Sequence, residues 1–253
     1  MNGNRYYGVR VEGEPQLVAD LLRGIEERGA VDTCEMILSG YLGSPEIAAV
    51  VADFVARARI LNKTRNPKLA YCCDPAFGDR DRGLFVPAGI PTLVRDRLCP
   101  LADIITPNHF EFEFLCGAKA TTSAQVIEAA QALMARGPST VVVTSAELED
   151  TPGGEIETVA IEKSGEGIKT WRAGTPKLPI SPSGTGDLFA ALFVAARVRE
   201  KDTPDALGHA VSAVFAVLER TAISGTEEMR IVESAELLVR PARRFHPIAI
   251  RSA

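Results

Sequence analysis

Leu17, Val18, Leu21, Leu22 and Ile25 recur at helical spacing behind Pro15, a residue suited to a first turn, and they predict a helix. Met36-Ile-Leu38 is a short apolar run closed by Ser39-Gly40. Behind it, Ser44-Pro45 offers a cap and a first-turn proline to Ile47, Val50, Val51, Phe54, Val55 and Ala58, so this segment reads strand, loop, helix. The same grammar recurs downstream. Apolar runs at residues 69–73, 102–106 and 140–143 each end in a polar loop: Asp74-Pro75, Pro107-Asn108 and Thr144-Ser145. Between the last two runs Ser123 is expected to cap a helix carrying Val126, Ile127, Ala130, Leu133 and Met134. Strands alternating with helices predict an α/β domain with a mostly parallel sheet and helices on both faces.

Residues 156–162 and 168–171, joined by Lys163-Ser-Gly-Glu-Gly167, read instead as an antiparallel hairpin on one sheet edge. Ser181-Pro-Ser-Gly-Thr-Gly-Asp187 then opens an alanine-rich helix over 188–198, and Thr203-Pro204 is expected to cap another that carries Leu207, Ala210, Val211, Val214, Val217 and Leu218. Beyond Gly225 the pattern weakens to one short helix over 234–239. No repeat or low-complexity linker divides residues 1–253, which are taken as a single domain.

Composition narrows the partners. The 253 residues are 46% hydrophobic, with 28 Lys+Arg against 33 Asp+Glu and a net charge of −5. With no basic block longer than a pair, a nucleic acid or an anionic membrane is not the expected partner. The longest apolar run, residues 188–196, is too short to span a bilayer, and the first residues lack the apolar stretch of a secretion signal. Five cysteines, odd in number and mostly within apolar runs, fit reduced buried thiols in a cytoplasmic protein better than disulfides.

The polar groups that carry chemistry cluster at strand ends, where open α/β sheets bind ligands. Gly184-Thr-Gly-Asp187 opens a helix, and its amides and dipole suit an anion; a plain turn with Asp187 satisfying helix amides explains the same residues. A dinucleotide fingerprint is excluded because Phe189 stands where a third glycine is needed, and no Walker-type loop occurs. Asp74-Pro-Ala-Phe-Gly-Asp79 places two carboxylates in one loop, either as partners of Mg²⁺ and phosphates or as solvated turn residues. Asn108 and Glu111 share one face of a first helical turn, which equally describes a capping box. His109 is read as a surface helix residue, and no zinc or serine-hydrolase motif is present.

The order of these signals is specific where each alone is not. Through Leu38-Ser-Gly-Tyr-Leu-Gly-Ser44, Cys73-Asp-Pro-Ala-Phe-Gly-Asp79, Ala102-Asp-Ile-Ile-Thr-Pro-Asn-His-Phe-Glu111, Val141-Val-Val-Thr-Ser145 and Gly184-Thr-Gly-Asp-Leu-Phe-Ala190, the chain resembles the ribokinase-like superfamily. Within it the chain looks like the pyridoxal kinases, and more like eukaryotic than bacterial ones. The resemblance runs from Tyr7 to about Glu233.

It implies a ribokinase-like three-layer fold and ATP-dependent phosphorylation of the 5′-hydroxyl of pyridoxal, pyridoxine or pyridoxamine in a cytoplasmic homodimer. Asp187 would be the catalytic base, with Gly184, Thr185 and Gly186 forming the anion hole. Asp74, Asp79, Thr106, Thr144, Ser145 and Thr185 would meet ATP, and Tyr41 would lie against the pyridoxal ring. Asp74, Asn108 and Glu111 would serve Mg²⁺, with another divalent ion or K⁺ as further candidates. Family members open with strands, including a Ser-His-Val-Val-x-Gly segment, that have no counterpart here, so those N-terminal strands are expected to be missing. The alternatives are a hydroxymethylpyrimidine-type kinase and a non-catalytic nucleotide-binding protein.

Overall fold

The computed structural model describes residues 14–165, 167–199 and 201–250. A seven-stranded sheet forms the centre. Its strands are β1 (Met36–Ser39), β2 (Ala70–Cys73), β5 (Ile104–Ile105), β6 (Thr140–Ala146), β7 (Glu155–Ser164), β8 (Gly167–Pro176) and β9 (Ile248–Ile250), hydrogen-bonded in that order. Between β2 and β5, β3 (Gly78–Asp79) and β4 (Gly83–Leu84) pair as a separate small flap. The pairings β1–β2, β2–β5 and β5–β6 are parallel, and β6–β7, β7–β8 and β8–β9 are antiparallel.

The helices are α1 (Pro15–Glu27), α2 (Pro45–Arg65), α3 (Gly89–Leu93), α4 (His109–Cys116), α5 (Ser123–Met134), α6 (Thr185–Val198), α7 (Thr203–Ser224) and α8 (Ala235–Val239). The period-two alternation of the strands sorts their side chains into two cores. Tyr71, Cys73, Ile105, Val141, Val143, Val159 and Ile161 join the helices on one side, including Ala48, Ala52 and Val55 of α2. Cys72, Ile104, Val142 and Ala160 face Phe189 and Phe193 of α6 and Leu207 and Ala210 of α7 on the other. This is the expected α/β layering, with helices on both faces. The 22-residue α7 is apolar enough to span a membrane by length, but it packs on β7 and β8 as a core helix.

Several details differ from the sequence reading. The cap of α5 is Thr122, whose side chain accepts from Gln125 N–H in a capping box, so Ser123 is the first helical residue. Asp202 rather than Thr203 caps α7. The β7–β8 hairpin does not form the sheet edge, because β9 pairs with β8 outside it. Residues 102–106 contribute only two strand positions. Helix α1 is amphipathic as expected, yet none of its residues is buried: Val18 and Leu22 lean on the core while Leu17, Leu21 and Ile25 stay exposed. The cysteines are free thiols, with Cys72, Cys73 and Cys99 buried.

Candidate functional site

The parallel strands deliver their polar residues to one end of the sheet, and the backbone ladder continues just past them. Asp74 N–H donates to Ser39 O at 2.8 Å, Thr106 N–H to Cys73 O at 3.2 Å and Thr144 N–H to Pro107 O at 2.9 Å. Asp74, Thr106 and Thr144 thereby hold fixed places relative to one another.

Asp74 is 5% exposed, and Thr106 Oγ1 donates to its Oδ1 at 3.0 Å. Burial first, then the nearby Glu111 and Asp187 carboxylates, raise its carboxyl well above the usual range, against the Thr106 bond that lowers it. Removing a carboxylate from water disfavours its ionised form, and like charges add to the effect. Near Asp74 stands Asp187, in the first turn of α6. A Cβ on Gly40 would lie 3.1 Å from Asp187 Oδ1 and 4.0 Å from Asp74 Oδ2, so the two carboxylates converge on one side of Gly40. Asp187 is open to solvent on one side, and burial of the rest raises its carboxyl too.

Gly184 caps α6 with φ +85°, a left-handed conformation that suits glycine. The first-turn N–H groups of a helix have no partner within it and face outward with the positive end of the dipole. Thr185 turns its hydroxyl inward, donating to Pro182 O at 2.9 Å, which fixes the loop before the helix.

Asn108 and Glu111 form the capping box of α4. Asn108 Oδ1 accepts from Glu111 N–H at 3.0 Å, while Glu111 Oε2 accepts from Asn108 N–H at 3.0 Å. The same pair ties down the flap. Phe77 N–H and Gly78 N–H donate to Glu111 Oε1 at 2.7 and 3.2 Å, and Asn108 Nδ2 donates to Gly78 O at 2.7 Å. Glu111 is 2% exposed, and burial pushes its carboxyl up to about 7 despite three backbone donors. Asn108 and Glu111 thus cap a helix beside the acidic centre.

Ala76, between Asp74 and the flap, has φ 43°, and Ser145 has φ 53° where the β6–β7 register shifts. Non-glycine residues in this region are uncommon and gather at functional sites. Thr144 forms a bridge with Asn108, and Ser145 is exposed beyond it. Tyr41 is half exposed in the loop after β1, next to Gly40. Asp79 sits on the flap, where its Oδ1 accepts Arg82 N–H at 2.6 Å.

A cavity of about 970 Å³ opens beside Gly184 and Asp187 and runs between residues 180–184 and residues 225–229 with Ile231. The second wall lies in the segment whose pattern had been weakest. His109 differs from expectation: it is 3% exposed, with Nε2 2.8 Å from Ala120 O and Nδ1 3.1 Å from Arg80 Nη2.

Among the described residues no three His, Cys, Asp or Glu side chains form a ready metal cage. The acidic centre nevertheless fits a divalent cation shared with phosphate oxygens and water. Asp74 is a buried carboxylate with two acidic neighbours and a single hydroxyl partner among the described residues, and Mg²⁺ is commonly held by one or two such carboxylates.

Comparison with known proteins places this geometry in context. The sequence pattern of phosphomethylpyrimidine kinase matches residues 14–231. Pyridoxal kinase PdxY of Leifsonia xyli is 42% identical over 231 residues, covering 91% of this chain and 79% of that protein. Pyridoxal kinase PdxY of Deinococcus radiodurans is 42% identical over 238 residues, covering 92% and 77%. These relatives are bacterial, which corrects the expected leaning toward eukaryotic sequences. In fold, the chain matches pyridoxal kinase from Leishmania donovani in complex with ADP and ginkgotoxin at a TM-score of 0.88 and 24% identity, covering 99% of this chain and 86% of that one. It also matches Plasmodium falciparum PdxK with AMP-PNP and PL at a TM-score of 0.85 and 21% identity, covering 99% and 85%.

Proposed function

Because this chain belongs to the phosphomethylpyrimidine kinase family and stands among its pyridoxal kinases, we propose that it transfers the terminal phosphoryl group of ATP to the 5′-hydroxyl of pyridoxal and related vitamers. The observation that carries the reading is Asp187 in the first turn of α6, converging with Asp74 on the same side of Gly40.

In this reading Asp187 accepts the proton of the attacking hydroxyl. Its raised carboxyl is suited to that task, since a base whose pKa moves toward the working pH accepts a proton more readily. The amides of Gly184, Thr185, Gly186 and Asp187 hold the phosphoryl oxygens as charge builds on them, at the positive end of α6. Phosphoryl transfer asks the protein for positioning and charge stabilisation rather than covalent chemistry. Thr106, Thr144, Ser145 and Thr185 contact the nucleotide, the 970 Å³ cavity houses the rest of it, and Tyr41 lies against the vitamer ring.

Asp74 would hold Mg²⁺, with Asp79 beside the phosphates and Asn108 and Glu111 ordering water from behind. When bound, the cation neutralises phosphate charge. A second cation such as K⁺ and a homodimeric assembly complete the proposal, on the strength of the family alone.

Steady-state assays with MgATP decide between this reading and its sister activity. Pyridoxal, pyridoxine and pyridoxamine should be phosphorylated, and hydroxymethylpyrimidine far less efficiently. Turnover of hydroxymethylpyrimidine alone would replace the assignment, and turnover of neither would leave a nucleotide-binding protein.

A further inference from the structure

Asp74, Asp79, Glu111 and Asp187 crowd acidic groups around the place where phosphates are received. Among the described residues lining the adjoining 970 Å³ cavity, Arg82 is the single basic side chain. It lies in the turn between β3 and β4 and is held at two points. Its own N–H donates to Asp79 Oδ1 at 2.6 Å, and its Nε stands 3.4 Å from Asp79 Oδ2, which keeps the guanidinium beside the flap. From there Nη1 reaches 3.4 Å from Ser183 Oγ, one residue before the Gly184 cap of α6. The guanidinium thus bridges the flap and the start of the anion-binding turn. Its five donors exceed what these two contacts use.

The second arginine of the same turn goes elsewhere. Arg80 Nη2 lies 3.1 Å from His109 Nδ1 and borders a separate cavity of about 520 Å³ with Glu113, Lys119 and Glu147. Two arginines separated by one residue therefore reach two different cavities, and only one of these adjoins Gly184 and Asp187.

We propose that Arg82 is a phosphate-contacting residue of the transfer reaction, its guanidinium forking onto oxygens of the terminal phosphoryl group opposite the α6 amides. This rests on the phosphotransferase reading above. Planar, bidentate guanidinium groups match phosphate oxygens, and a cation placed against a transferring phosphoryl group stabilises the charge of its transition state. An ordinary surface ion pair with Asp79 would explain the 3.4 Å contact but not the reach to Ser183. The same contacts place the donor fork beside a helix N-terminus that, among the described residues lining the cavity, would otherwise receive the phosphoryl group without a side-chain cation.

The test compares Arg82→Ala, Arg82→Lys and Arg80→Ala with the parent protein, measuring kcat for pyridoxal phosphorylation. In parallel, calorimetry without any vitamer measures MgATP and MgADP affinity. Arg82→Ala should lower kcat by about 10²-fold and shrink the preference for MgATP over MgADP by roughly tenfold. Arg82→Lys should recover part of both, because it restores the charge without the fork. Arg80→Ala should stay within about twofold of the parent, with all melting temperatures alike. Parental kcat and an unchanged MgATP:MgADP ratio in Arg82→Ala would overturn the proposal, as would equal losses in Arg80→Ala. A parent that binds nucleotide but leaves pyridoxal untouched would overturn the substrate assignment instead, and the nucleotide ratio would still judge Arg82.

Discussion

The Gly40 backbone runs so close to Asp187 that a Cβ at position 40 would stand 3.1 Å from Asp187 Oδ1. That is tighter than an ordinary carbon–oxygen contact, and Gly40 has no positive φ to complicate a substitution. Gly40→Ala should fold normally and displace the carboxylate by a few tenths of an ångström. Because such misplacement of a reacting group is expensive in rate, kcat should fall about tenfold with little change in nucleotide affinity. Kinetics matching the parent would show that Asp187 does not need its present position.

Asp187→Asn removes the proposed proton acceptor while keeping the shape of the side chain. The expected loss in kcat is at least ~10²-fold, with calorimetric MgATP affinity nearly unchanged. Undiminished turnover would take Asp187 out of the base role.

Buried carboxyls tie the stability of this end of the sheet to pH. Burial raises Glu111 to about 7 and Asp74 well above its usual range, so both hold protons more tightly folded than unfolded. The stability from Glu111 is fully present below the unfolded carboxyl value near 4.5 and is lost as pH rises through about 7, on the order of 3 kcal/mol at most. His209, which burial pushes down, acts in the opposite direction over part of that window. The clean comparison is therefore the melting-temperature gain on adding MgCl₂. A cation bound by ionised carboxylates should stabilise the protein more at pH 8 than at pH 6. An equal or smaller gain at pH 8 would contradict cation binding at Asp74.

Gly137 tests the scaffold away from the site. A Cβ there would meet Pro100 O at 2.6 Å and Pro100 Cα at 2.8 Å, backbone atoms that cannot swing aside. Gly137→Ala should destabilise the fold by about 1–3 kcal/mol in urea denaturation, leaving the activity of the folded fraction intact. A neutral result would mean that the turn after α5 yields more easily than its packing indicates.

Much of the layering could be read from residues alone, because apolar period is a property of the burial that creates it. Met36-Ile-Leu38 and Ala70–Cys73 announced strands, and Ser44-Pro45 announced α2 down to the cap, where Ser44 accepts from Ile47 N–H. Where Thr121, Thr122 and Ser123 compete as caps, Gln125 three residues past Thr122 was the discriminating signal. Strands of two or three residues such as β3, β4 and β9 are too short to show a period. His109 is buried rather than on the surface because α4 buries more than one face, with His109, Glu111, Phe112 and Leu115 all inside.

In the site, Asp74, Thr106, Asn108 and Glu111 were legible as strand-end residues. The wall at residues 225–231 and the reach of Arg82 were not, since each depends on a loop's path rather than on a repeating pattern.

The switch from parallel to antiparallel pairing at β6 divides the chain by the order in which its parts can assemble. β7 and β8 match over ten residue pairs, ending where Ser164 opposes Gly167, so their contacts close across a very short loop. β1 reaches β2 only after the 21-residue α2 has crossed over, and β5 meets β6 only after α4 and α5. Contacts between distant parts of a chain are slower to form than local ones. The hairpin is thus the most local long pairing of the sheet. Asp74, Thr106 and Asp187 instead belong to the part of the fold held by distant pairings, so the proposed site depends on the contacts of longest range in the sheet.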